Sequence, residues 1–202
     1  MTGSHLLWFT TRGAGAVSLC LLSAVVALGL LGAVSGSNPR WPRFLTTTLH
    51  RNLALLALVF LAIHIVTAVL DPFTALGLGA ALLPWASSYR TFWVGLGVIS
   101  LYLGAAVIVT SLLRRWLGYR TWRFVHWGAY ALWPLALIHS LGAGSDTRFL
   151  WMDIVYTACC GVVAIFFGVR LARRGAGAPE PLPPVPEGPP VWSRLDEGRR
   201  WR

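Results

Sequence analysis

The sequence predicts an all-α polytopic membrane protein, a bundle of about five transmembrane helices with the N-terminus outside and the C-terminus inside. Three observations carry this prediction. Hydrophobic residues make up 56% of the chain and charged residues 12%, a balance foreign to soluble globular domains. The apolar residues gather in repeated runs of about twenty, the length a helix needs to cross hydrocarbon. The net charge of +10 comes from arginine, with no lysine in the chain. These arginines sit in short stretches between the apolar runs, so they read as determinants of topology and not as a nucleic-acid-binding face.

The first apolar run, Ala14 to Ser35, follows a short polar start. Ala33 and Ser35 would suit a signal-peptide cleavage site, but the run is longer than such a core, and Arg12 alone precedes it while Arg40, Arg43 and Arg51 follow. It is therefore expected to be a retained span (14–35). A polar connection with Pro39 and Pro42 leads into the second span, 49–70, which Thr46, Thr47 or Thr48 would cap. Asp71-Pro72 ends it, because proline cannot extend a helix and restricts the residue before it. The stretch Ala75 to Leu83 is apolar but far too short to cross, and is expected to lie in the interface.

The third span, 92–113, contains no charge. A loop carrying Arg114, Arg115, Arg120 and Arg123 leads into the fourth, 124–141, and a glycine-rich turn with Asp146 and Arg148 into the fifth, 149–169. Trp8, Trp41, Trp85, Trp93, Trp116, Trp122 and Trp151 fall near the predicted span ends, as interfacial aromatics do. Residues 1–174 thus form the membrane domain. Residues 175–202, opening GAGAPEPLPPVPEGPP, are expected to form an extended or disordered cytoplasmic tail.

Orientation follows from the arginines. Arg40, Arg43, Arg51, Arg114, Arg115, Arg120, Arg123, Arg170, Arg173 and Arg174 would share one side, against Arg12, Arg90 and Arg148 with three aspartates on the other. The positive-inside rule places the first group in the cytoplasm. The second and fourth spans then run parallel, from inside to outside. The arginine-only, Ala/Gly/Leu/Pro-rich composition points to a bacterial, high-GC origin, hence to a bacterial plasma membrane.

Both parallel spans carry two histidines. His50 and His64 lie fourteen residues apart, roughly 21 Å along a helix and only about 40° out of phase. His126 and His139 lie thirteen apart, which on an ideal helix leaves them about 140° out of phase. Pro134 lies between them, and a kink there is expected to rotate the second half back. Ionisable residues inside a span are costly and by default mark a pathway or a paired site. A neutral imidazole also suits haem iron, one nitrogen on the metal and the other hydrogen-bonded. Two parallel helices with histidines at two depths would hold two haems, one above the other, each gripped from both sides. The residues leave a haem-free alternative open, in which the histidines form a proton path or interhelical hydrogen bonds.

With thirteen and twelve residues intervening between the paired histidines, the helix start LHRNLALLA and the run YRTWRFVHW, the chain resembles the ferric-reductase-like transmembrane domain family over roughly Leu7 to Val169. That family includes the membrane parts of ferric reductases and NADPH oxidases, and the haem subunit of a bacterial methionine sulfoxide reductase system. The resemblance implies two haem b groups: an inner one on His50 and His126, and an outer one on His64 and His139. It implies electron flow from a cytoplasmic or membrane donor, flavin or quinol, to an extracytoplasmic acceptor. The alternative within this chemistry is a quinol-fed haem subunit of a periplasmic reductase. No flavin- or NADPH-binding region is legible, so a separate flavoprotein or quinol is the expected donor, and an oxidoreductase component the expected role. Many members have six spans where five are predicted here.

Arg51, Arg120 and Arg123 stand beside the inner histidines, where guanidinium would fork onto haem propionates or simply fix topology. Trp133 falls between His126 and His139, filling either the gap between haems or the core. Asp71, Asp146 and Asp153 would lie outside, without the spacing of a hard-oxygen metal site. Cys20, Cys159 and Cys160 lie in apolar runs and read as small core residues. No Ser-His-Asp, Cys-His or paired-carboxylate arrangement stands out.

Overall fold

The computed structural model describes residues 2–32, 43–74 and 76–175. The connection 33–42 and the Pro-rich tail, apart from its first residue, lie outside the described residues. What is described is helical throughout its regular elements: α1 (Thr2–Gly32), α2 (Arg43–Leu70), α3 (Gly77–Leu82), α4 (Thr91–Leu112), α5 (Arg114–Leu117), α6 (Tyr119–His126), α7 (Ala129–Ala143) and α8 (Leu150–Gly175). Segments of α1, α2, α4 and α8 are each long and apolar enough to cross a membrane: His5–Gly32, Phe44–Leu70, Thr91–Leu112 and Leu150–Arg173.

α1 starts a full three turns before the apolar run predicted for it. Its early polar residues are absorbed by the helix itself: Thr10 Oγ1 donates to Leu6 O at 2.8 Å and Thr11 Oγ1 to Leu7 O at 2.9 Å. Arg12 is half-buried and ion-paired with Asp146 in the turn after α7. A hydroxyl bonded back to its own helix and a charge matched across the bundle both lose their power to stop a span.

The predicted fourth span consists of two helices, α6 and α7. The interruption falls at Trp127–Gly128, directly after His126, and not at Pro134, which lies inside α7 without ending it. At the junction the backbone tightens: Gly128 N bonds Val125 O at 2.8 Å, Tyr130 N bonds Trp127 O at 3.0 Å and Ala131 N bonds Gly128 O at 3.0 Å. Such three-residue turns advance about 20° more per residue than an α-helix, in the sense that brings His126 and His139 toward a common face. α3, between the second and third spans, is the short apolar segment expected at the interface, with Leu78 and Leu82 exposed.

α1 is the central helix. Leu19, Ser23, Val26, Ala27 and Leu30 recur at helical spacing and are buried, where α1 packs along α2 and α8 and also meets α7. Leu19 forms a cluster with Met152, Tyr156 and Cys159 of α8; of the other two cysteines expected in the core, Cys160 is half-buried and Cys20 exposed. α7 packs along α4. Arg90 at the head of α4 donates to Gly142 O and Gly144 O, and the Trp93 indole occupies the space a Cβ would need at Gly142. Tyr156 joins α8 to α7 through the Ser140 carbonyl at 3.1 Å. Two packed pairs result, α1 with α2 and α4 with α7. α2 and α7 do not pack on each other to any extent. Large apolar side chains such as Leu55, Val59, Val66, Ile154 and Ile165 face outward, as a bundle whose solvent is lipid requires.

Candidate functional site

The histidines of α2 face those of α6 and α7 across the space between the two packed pairs. His50 and His126 have ring centroids 6.1 Å apart, and His64 and His139 6.4 Å apart. The four predicted residues are thus brought together two by two, in the pairing the family resemblance implied. The two pairs are separated by four turns of α2, roughly 21 Å of rise.

Three of the rings are held in one way. His64 Nδ1 bonds Thr11 O at 2.8 Å, His50 Nδ1 bonds Val25 O at 3.0 Å, and His139 Nδ1 bonds Trp93 O at 2.8 Å. A carbonyl only accepts, so Nδ1 carries the proton in each case and Nε2 keeps its lone pair. The residue four positions after each carbonyl, one helical turn on, is a glycine: Gly15, Gly29 and Gly97. Each lies against the imidazole that uses the carbonyl before it. A Cβ on Gly15 would stand 2.9 Å from His64 Nδ1, one on Gly29 3.5 Å from His50 Cε1, and one on Gly97 2.6 Å from His139 Nδ1. Missing side chains let the rings reach a neighbouring backbone. These cradles escaped the sequence reading, although Gly15 and Gly29 are fourteen residues apart, as are His50 and His64. Antiparallel packing of α1 on α2 sets Gly15 against His64 and Gly29 against His50.

The pairs can be tested against a haem iron between them. An iron–imidazole bond of about 2 Å on each side, with about 1.1 Å from each nitrogen to its ring centre, separates the two centroids by about 6.2 Å. The separations of 6.1 and 6.4 Å fit. Interplanar angles of 54° and 79° do not oppose the fit, since two imidazoles on one iron need not be parallel. Among the described residues no group of three or more His, Cys, Asp or Glu side chains could hold a metal ion.

The other predicted residues are more scattered. Arg51 and Arg120 are exposed on α2 and α6, and Arg123 donates to Tyr119 Oη at 3.3 Å. Trp133 lies between the levels of the two pairs, its Nε1 donating to the buried Ser23 Oγ at 2.9 Å. Asp71 is buried, with Oδ1 accepting from Phe73 N at 3.0 Å, the pattern of a helix-ending turn. Asp146 is engaged by Arg12, and Asp153 is exposed on α8.

Fold and site together define a helical membrane protein that stacks two facing imidazole pairs through its depth. The family described as ferric reductase like transmembrane component matches residues 14–137, and the chain belongs to it. The matched segment holds His50, His64 and His126 and ends two residues before His139. Neither the curated proteins nor the solved structures returned a match. Membership makes this chain a multi-pass membrane protein with a function in transmembrane electron transfer.

Proposed function

We propose that the chain is a di-haem b electron carrier that takes electrons from a cytoplasmic or membrane donor and passes them to an extracytoplasmic acceptor. His50 and His126 bind the inner haem, and His64 and His139 the outer. The observation that supports this reading most strongly is the ring separation of 6.1 and 6.4 Å in the two pairs. Haem supplies a one-electron iron couple. The chain's own residues would hold it at two levels, each between two imidazoles, with Nε2 left free for the metal at His50, His64 and His139 because Nδ1 is given to a carbonyl. Arg51, Arg120 and Arg123, at the inner level, pair with propionates. The arginine distribution orients the chain with its N-terminus outside and the inner pair in the cytoplasmic half.

The donor in this reading is a separate flavoprotein or a quinol; the alternative within the same chemistry is a quinol-fed haem subunit of a periplasmic reductase.

The test is reconstitution into lipid vesicles. Haem-loaded protein mixed with a reduced quinol, and separately with reduced flavin, should show reduction of its b-type absorbance by at least one donor, with reoxidation by a membrane-impermeant oxidant outside. Protein that stays colourless when supplied with ample haem sinks the reading in favour of a haem-free bundle. Loaded protein that neither donor reduces removes both proposed donors.

A further inference from the structure

The four histidines are not held alike, and the exception is His126. The other three rings each give Nδ1–H to a carbonyl one turn before a glycine. His126 Nδ1 is buried with no hydrogen-bond partner.

A different device holds this ring. The Trp122 indole, one turn earlier on α6, stacks on His126 with centroids 4.9 Å apart and planes 28° from parallel. Trp122 is fixed in turn: its Nε1 donates to Ser111 Oγ at 3.2 Å, and the Arg114 guanidinium lies over the indole at 4.2 Å from its centroid. Guanidinium and imidazole thus both contact one indole.

We propose that Trp122, clamped by Arg114 and Ser111, is the positioning residue for His126, and that this arrangement makes the inner pair's haem the more easily reduced of the two. The inference rests on the di-haem reading above. Its sign follows from two effects that agree. An imidazole whose Nδ1–H is given to a carbonyl is the more basic ligand and favours ferric iron. The outer pair has two such bonds, through Thr11 and Trp93, and the inner pair one, through Val25. The cation of Arg114, which lies over the indole that stacks on His126, favours the form with less positive charge, which is ferrous. Each reduction is the gain of one electron by ferric iron, supplied in a titration by dithionite, with no bond made or broken.

The experiment is an optical redox titration of the full haem-loaded chain, with electron paramagnetic resonance of its ferric form. Two waves are expected, and His50→Ala should abolish the higher-potential one. Arg114→Gln should move that wave to lower potential and leave the other in place. Trp122→Leu should shift or broaden the inner haem's resonance alone, and Trp122→Phe, which keeps a stacking face, should restore it. A di-haem chain overturns this inference alone if its higher wave survives His50→Ala and disappears in His64→Ala. The same holds if Trp122→Leu leaves both resonances unchanged. A wild-type chain that binds no haem overturns the inference together with the reading beneath it.

Discussion

Imidazoles inside a helical bundle are costly unless their nitrogens find partners, and here a backbone carbonyl accepts from Nδ1–H of His50, His64 and His139 while the glycine one turn on leaves room for the ring. The arrangement predicts unequal effects of equal substitutions. Gly97→Ala places a Cβ 2.6 Å from His139 Nδ1 and must push the ring off the Trp93 carbonyl, whereas Gly29→Ala places one at an ordinary 3.5 Å from His50. Loss of a buried hydrogen bond costs about 1 kcal/mol, and the ring is misplaced as well. The haem-to-protein ratio of purified variants should therefore fall for Gly97→Ala toward one haem per chain, and hold near wild type for Gly29→Ala. Equal ratios in the two would reject the cradle. The histidines themselves were legible in the sequence because apolar helices rarely carry them. The glycines were not, since the chain has 21 of them and only the antiparallel register of α1 on α2 tells which ones face a ring.

Helices are joined here by a few polar ties between otherwise apolar surfaces, and one of them, an ion pair, lies between α1 and the turn after α7. Arg12 and Asp146 pair with side chains only 17% and 8% exposed, and the Arg12 guanidinium also lies 3.8 Å from the Trp8 centroid. Asp146→Ala leaves that cation unpaired, which should lower stability by roughly 3 kcal/mol, read as a lower midpoint of thermal unfolding in detergent. A midpoint within error of wild type would mean the pair contributes nothing. Periodicity could not foresee a tie spanning 134 positions of sequence; Asp146 looked like a solvent-facing loop acid and Arg12 like a topology signal. The division of the fourth span was equally hidden. Pro134 was the visible breaker, yet a helix tolerates proline when neighbours absorb the lost bond. The turn instead tightens at Gly128, where the carbonyl of Val125 lies 2.9 Å from where a Cβ would be.

At the scale of the whole molecule, class and membrane crossing were open to inspection, because runs of apolar residues have few other solutions. Orientation rests on the arginine count alone, and predicts that a reporter fused after Arg202 is active only in the cytoplasm while one fused before Met1 is active only outside; the reverse pattern would exchange the inner and outer pairs. The architecture places two packed helix pairs on either side of a space bridged at two depths by facing imidazoles, and the account stands or falls on what occupies that space. The most direct measurement is haem content and spectrum for the wild-type chain and its four single histidine-to-alanine variants. The account predicts about two low-spin b-type haems per wild-type chain, loss of the same one in His50→Ala and His126→Ala, and loss of the other in His64→Ala and His139→Ala. Haem content that ignores these substitutions, or a loss that pairs His50 with His64, would contradict it.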